Sequence, residues 1–444
     1  MKSPAKFSVQ GSFLMPTLAE QCDPRQPLVK LAREINWQVF EESFGEYYSD
    51  QGRPAKPIRL MVGLLLLKQL ENLSDEALVE RWVQNPYYQY FCGLEQFQWE
   101  APCDPSDLVY FRRRLGEEGA SVILAVSAHL HKDHGQEREI VVDTTVQEKN
   151  ITHPTDTKLA RKIIQRCWKL ADQRGVQLRR RYRKEVRRHL MAQRWRQHPR
   201  RQKVARQGVR KLKTIAGRLI RELERKLPPT VREAQRENFA LYRRVLRQQT
   251  KDTDKIYSLH EPQVYCVAKG KEHKQYEFGS KASVAMTRTH GVIVAAVAHP
   301  ENIYDGHTLP EVLGLAEAVM GRRPTKAIVD RGYRGRREVE GTKVLVPERP
   351  PANQSRSQTA KMRERFRRRA AIEPVISHLK HDYRLLRCFL KGQLGDALNL
   401  MLAAAAWNLK KWMRAVLFWL LGRLPGPLWL TQRRQISVIP ILSA

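Results

Sequence analysis

What this sequence lacks narrows it before any motif is read. No apolar run approaches the ~18 residues needed to span a bilayer; Ala415 to Leu421 is far too short. The opening residues, MKSPAKFSVQG, hold no apolar core of a secretory signal, so a cytoplasmic location is expected. The six cysteines, Cys22, Cys92, Cys103, Cys167, Cys266 and Cys388, show neither CxxC pairs nor Cys/His ligand spacing. That pattern argues against a zinc site and a cysteine nucleophile, and reads as reduced, structural thiols. Acidic residues are scarce: 46 Asp and Glu face 80 Lys and Arg, leaving a formal +34 over 444 residues. Such a surplus says little about fold but favours a polyanionic partner, and without a spanning segment nucleic acid is preferred to membrane. At 42% hydrophobic residues the chain can still bury proper cores, and its length suits about three domains.

The charge is not spread evenly. Residues 161–250 hold 30 Lys and Arg against six Asp and Glu, a net +24 of the total +34. Glycine is sparse there, proline is absent between Pro199 and Pro228, and Leu212, Ile215, Leu219 and Leu223 recur at helical spacing. Two or three long helices ending at Pro228–Pro229 are expected, with a further one from Val231 to about Gln249. A merely solvated helical face would alternate acids with bases; this block does not, so it reads as a contact surface for DNA. Towards the N-terminus, Leu60 to Leu70 is apolar almost all round, which describes a buried helix. Ser74 can cap the next helix, and Pro86 ends it. A third helix, from near Ser106, carries Arg112, Arg113 and Arg114, candidates for DNA contact if these short helices form a helix-turn-helix. A helical dimerisation module is the alternative.

Two short β-branched runs each lead into an aspartate: residues 139–145 (EIVVDTT, Asp143) and 326–333 (KAIVDRGY, Asp330). Such runs suggest strands buried on both faces, as in the middle of an α/β sheet. An acid just past such a strand stands at the sheet's carboxyl edge, where α/β enzymes place their chemistry. Between them, Phe278–Ala285 and Gly291–Ala298 read as an antiparallel pair, and a short helix and the strand KVLVP follow Asp330. The order is that of a ribonuclease-H-like fold with basic helices inserted after its first strand. A third acid, Glu373, lies among arginines and lysines with Phe366, Arg369 and Lys380 at offsets −7, −4 and +7. At about 100° per residue the outer offsets return to within roughly 20–40° of Glu373. Pro374 interrupts that geometry, either by a kink or by a restart that puts Glu373 near a helix N-terminus. Alone, each acid reads as a cap or surface residue. Together, three carboxylates can hold two Mg²⁺ ions about 3.5–4 Å apart for in-line phosphoryl displacement.

At these residues the chain resembles the DDE transposases of bacterial insertion sequences, in the group that joins the IS-four and IS-five types. That group carries Tyr, two residues, Arg, three residues, Glu, six residues, Lys around its last acid; here Phe366, Arg369, Glu373 and Lys380 match, with phenylalanine for tyrosine. The stretches 372–385 (IEPVISHLKHDYRL), 302–309 (NIYDGHTL) and 330–335 (DRGYRG) look like the IS-five subgroup, and the likeness runs over roughly residues 25–410. The resemblance implies Asp143, Asp330 and Glu373 as metal ligands for two Mg²⁺, with Mn²⁺ a possible substitute, and Arg369 and Lys380 as contacts to the transposon end. It implies double-stranded DNA, as transposon ends and target, and a homodimer or higher in the active complex. Hydrolysis at the element's end would free a 3′-hydroxyl, which then attacks target DNA. HPTD at 153–156 is also family-like; Asp305 reads first as a cap or turn residue and second as a site residue, with His307 beside it, and Asn408 as structural.

The sequence therefore divides into an N-terminal helical DNA-binding or dimerisation region (1–135), an α/β ribonuclease-H-like catalytic domain (136–160 and 251–410), the basic helical insertion (161–250) and a tail (411–444). The competing readings are a nuclease of the same fold that does not join strands, and a non-catalytic DNA-binding protein. Short inverted repeats flanking the reading frame would favour transposition over both.

Overall fold

Leu60 to Leu70 has no polar face to offer water, and it forms the helix Ile58–Leu70, buried throughout except at Arg59. The computed structural model describes residues 16–48, 51, 54–131, 135–249, 251–268, 275–348 and 355–421. Ser74 caps the following helix, Asp75–Gln84, by accepting from the Ala77 amide at 3.1 Å. Pro86 opens a new short helix, Pro86–Phe91. The arginine-bearing helix is Pro105–His129, capped by Asp104 and broken at Gly116, whose φ of 64° suits glycine.

The chain forms two compact units, Met1–Gln147 with Lys281–Ala444, and Glu148–Ser280. The N-terminal helices and the strands leading to Asp143 and Asp330 thus share one unit, and the division falls at Glu148 and Ser280 rather than at the ends of the basic block. The boundary drawn at 411 falls inside the helix Gly392–Leu421, whose apolar run Leu398–Ala406 is buried; residues 422–444 lie outside the described residues.

Eight strands are found among the described residues: β1 (Glu139–Lys149), β2 (Tyr265–Ala268), β3 (Tyr276–Thr287), β4 (Ile293–His299), β5 (Lys326–Ile328), β6 (Glu338–Val339), β7 (Thr342–Leu345) and β8 (Arg387–Cys388). Their order is β2-β3-β1-β5-β7-β6, with β4 on β3 and β8 on β1. β5 pairs in parallel with both β1 and β7, whereas β3 and β4 form the expected antiparallel pair. β1 is longer than expected: Thr144, Thr145 and Val146 continue it, so Asp143 is within the strand rather than past its end. The short helix expected after Asp330 is a one-turn 3₁₀ helix, Arg331–Tyr333.

Successive strand residues point to opposite faces, and each face of the sheet has its own core. Val141, Val284 and Ile328 join the core that includes the helices Ile58–Leu70, Ile372–Asp382 and Gly392–Leu421. Ile140, Val142, Ala327 and Val329 join the other, with Leu309, Val312 and Leu313 of the helix Asp305–Met320. Asn408 holds the long helix to β4: it accepts from the Ile293 amide and donates to the Ile293 carbonyl, both at 2.9 Å. Its role is structural.

The second unit has a separate core, in which Leu212, Ile215, Leu219 and Leu223 of the helix Gln202–Lys226 pack with Ile163, Ile164 and Phe239. The basic block breaks more often than expected, into Asp156–Gln173, Arg183–Met191, Gln202–Lys226, Pro229–Ala234 and Arg236–Arg247. HPTD starts the first of these: Thr155 caps it through the Lys158 amide, and Asp156 pairs with Lys213 at 2.7 Å.

In the first unit, Asp75 receives Lys68 at 2.7 Å and both ends of the Arg112 guanidinium, at 3.0 and 2.6 Å. Burial, with Arg112 alongside, draws the Lys68 amine down to about 8. Losing one partner of a buried ion pair leaves uncompensated charge. Asp75→Ala, which strands two buried cations, should therefore cost about 3–5 kcal/mol in urea unfolding; a loss under 1 kcal/mol would show that solvent already screens the group.

Candidate active site

Register places the first two acids. Val141 on β1 stands opposite Ile328 on β5, and Asp143 and Asp330 each lie two residues further along. They are therefore level, and on the face shared by Val141 and Ile328. Asp330 is fixed by its own turn, accepting from the Gly332 amide at 2.8 Å. Asp143 accepts from the Thr144 amide at 2.8 Å.

The third acid comes from a helix on the same face. The chain turns at Ala370–Ala371, ending the helix Arg356–Arg369 and starting Ile372–Asp382, with Glu373 in its first turn. Of the two geometries open from Pro374, the structure adopts the restart. Ile372, Val375 and Leu379 anchor this helix in the core beneath Val141 and Ile328. Glu373 is 64% exposed and meets Arg369 at 3.3 Å; the same guanidinium lies 3.9 Å from Asp143. Phe366 is half-buried against that core. Lys380 is half-exposed one helical stretch beyond Glu373. A groove of about 1100 Å³ is lined by Arg334, Arg336, Arg337, Lys343, Lys361 and Arg365 against the single acid Glu348, with Phe366 in its wall.

Two residues belong to the site that the sequence reading did not place there, and a third was ranked second. Asp305 is not a cap: the helix Asp305–Met320 has Tyr304 at its N-cap position, without a side-chain bond. Instead Asp305 ion-pairs with the buried Lys281 and accepts from Thr144 Oγ1 at 3.2 Å. Tyr333 is fully buried, with the Thr308 hydroxyl beside its own. Burial, followed by the charges of Asp305, Asp143 and Asp330, pushes the Tyr333 hydroxyl well above the ordinary phenol range. A signal for Lys281 was present: a lysine in a strand of small and apolar residues needs a partner. His307, by contrast, is exposed against Tyr304.

The three N-terminal arginines separate. Arg112 is 4% exposed and spent on Asp75, so it is not a surface residue; the buried face of its helix takes it inward. Arg113 and Arg114 are exposed, Arg114 lying 4.7 Å over the Tyr48 ring.

Two family models match the chain, one described as "Transposase domain (DUF772)" over residues 16–114 and one as "Transposase DDE domain" over residues 246–409. A Rhizobium meliloti protein named "Uncharacterized protein ORF8 in nfe locus" is 47% identical over 165 residues, 36% of this chain and 80% of that relative. The chain belongs to the DDE transposases. No solved structure matches it. The transposase matches leave out residues 115–245, which include Asp143 and most of the basic helices, so the place of Asp143 rests on its register with Asp330.

DDE transposases normally use divalent metal ions, and the residues here fit one chemically. The donors are carboxylate oxygens, which suit Mg²⁺ or Mn²⁺. As the side chains stand, no three His, Cys, Asp or Glu among the described residues are gathered closely enough to hold a metal. Arg369 stands between two of the acids, 3.3 Å from Glu373 and 3.9 Å from Asp143.

Gly332 keeps the acids at their spacing. A Cβ there would stand 2.8 Å from Asp305 Oδ2 and 2.9 Å from Asp330 Oδ1. Gly332→Ala should destabilise by about 1–3 kcal/mol, the usual cost of overpacking, and thermal unfolding should show the penalty shrinking in an Asp305→Ala background. An equal penalty in both backgrounds would place the clash elsewhere.

Proposed function

We propose that this DDE transposase, of the IS-five type, has a ribonuclease-H-like catalytic domain, binds the terminal inverted repeats of its insertion sequence, cleaves DNA at the ends and joins the freed 3′-hydroxyl to target DNA. The observation that carries the reading is the placement of Asp143, within β1, level with Asp330, two residues past the end of the parallel strand β5, with Glu373 on the helix packed under that face. The strand order β4-β3-β1-β5-β7, with β1, β5 and β7 parallel, supports the fold.

Asp143, Asp330 and Glu373 would hold the metal, which supplies Lewis acidity to the attacking and leaving oxygens. Arg369 would exchange Glu373 for a DNA phosphate, and Lys380 would hold a second. The groove of Arg334, Arg336 and Lys343 offers cations for the adjoining backbone. Asp143→Asn, Asp330→Asn and Glu373→Gln should each lower strand cleavage in Mg²⁺ by roughly 10²-fold or more, while binding to transposon-end DNA survives. Normal cleavage by Asp330→Asn would mean that the site is assigned wrongly, and joining without any loss in Glu373→Gln would remove the third acid.

The basic helices are proposed as a sequence-tolerant DNA clamp, with base readout left to the N-terminal helices, including Arg113 and Arg114. Arg210, Lys211, Arg218, Arg221 and Arg225 are all exposed along one long helix, whose two acids, Glu222 and Glu224, fall only in its last turns. Replacing residues 161–250 by a short Gly/Ser linker should weaken binding to end DNA and unrelated duplex alike, and flatten the salt dependence by about one unit of log–log slope per lost phosphate contact. Fluorescence anisotropy across a salt series reads this, with circular dichroism to confirm folding. Equal slopes in both proteins would exclude a clamp; loss confined to end DNA would move recognition into the block.

A further inference from the structure

Within the second unit, the helix Gln202–Lys226, residues 174–182 and the short helix Pro229–Ala234 border a cleft of about 930 Å³. Six exposed arginines line it: Arg179, Arg180, Arg218, Arg221, Arg225 and Arg232. Its two acids are both spent within the fold. Glu222, 8% exposed, accepts from the Arg179 amide at 2.6 Å and from Lys226 Nζ at 2.8 Å. Glu224 pairs with Arg243, which does not line the cleft. Arg180 is taken by Glu185, whereas Arg179, Arg218, Arg221, Arg225 and Arg232 enter no ion pair among the described residues.

The wall that carries Arg179 is braced. Val176, Leu178 and Tyr182 pack on the core of the unit, and Lys226 donates to the Gln177 carbonyl at 2.6 Å. Tyr182 has a φ of 56°, a left-handed conformation that a bulky residue keeps only where its surroundings hold it. A merely solvated face needs no such bracing. Five unpaired guanidiniums held around one cleft repel one another and focus their field into it, which suits an entering anion. Arginine forks match phosphate oxygens two at a time. Arg218, Arg221 and Arg225 span about 10 Å of their helix at 1.5 Å per residue, the axial length of about three phosphates of one DNA strand.

We propose that this cleft is where the basic helices grip duplex DNA: consecutive phosphates of one strand enter it, met by Arg218, Arg221 and Arg225 along the helix and by Arg179 and Arg232 from the flanking segments. Glu222 is a positioning residue that holds Arg179 there. The inference rests on reading the basic helices as a DNA clamp, and it confines the grip to one cleft instead of the whole charged surface.

Fluorescence anisotropy of the full chain on a duplex unrelated to the transposon end, across a salt series, tests this with two triple variants that remove equal charge. Arg218→Gln/Arg221→Gln/Arg225→Gln should flatten the log–log slope by about two to three units, at about 0.9 per lost phosphate contact. Lys184→Gln/Arg187→Gln/Arg188→Gln, on exposed cations of the helix Arg183–Met191 that do not line the cleft, should flatten it by about one unit or less. Both triples change only exposed side chains, so circular dichroism should show the parent's fold. Equal flattening by the two triples, or a parent-like slope in the first, overturns the cleft; the clamp still stands if replacing residues 161–250 flattens the slope, and falls with the cleft if that replacement does not. Glu222→Ala and Glu222→Gln remove the same negative charge, but only Gln keeps an acceptor for the Arg179 amide. Glu222→Gln should therefore bind the duplex several-fold more tightly than Glu222→Ala, and equal affinities overturn the positioning role.

Discussion

Carboxylates brought together in a half-buried place repel one another, and the sheet edge of this protein is built around that repulsion. Two such charges about 6 Å apart cost roughly 3 kcal/mol at an effective dielectric of 20, a large fraction of a typical domain's net stability. The structure offsets the cost with cations of its own: Lys281 on Asp305, and Arg369 between Glu373 and Asp143. Gly332 sets the separation by omitting a side chain where one would collide with two carboxylates.

That arrangement depends on the sheet having two unlike faces. Parallel pairing of β1 with β5 makes Asp143 and Asp330 level, and the alternation of side chains assigns both to the face that the helix Ile372–Asp382 covers. Asp305 and Tyr333 arrive from elements belonging to the opposite core. The acids therefore meet at the edge where two layers end. A one-residue slip in β5 would turn Asp330 to the wrong face and bury it among Val142 and Val329.

The positive charge divides into two kinds. In the second unit, apolar residues at helical spacing build a core and leave the arginines outside it. In the first unit, Arg112 shares a helix turn with Arg113 and Arg114 but faces the interior, where Asp75 and Lys68 complete a buried network. Three consecutive arginines are equivalent as letters; about 100° of helix rotation per residue makes them different.

Much of this protein was legible from sequence because the signals were local. Periodicity gave the all-round buried helix Ile58–Leu70; Ser74 and Pro86 marked helix limits; the runs before Asp143 and Asp330 read as buried strands. The resemblance to DDE transposases singled out the acids before their register was known. Tertiary structure decided what depends on distance between parts remote in sequence. It turned Arg112 inward, extended β1 past Asp143, and set Asp305 on Lys281 rather than at a helix cap. It also buried Tyr333 completely. The physical reason is that capping and periodicity act over a few residues of chain, whereas ion pairing, burial and register are settled only when separate strands and helices come into contact.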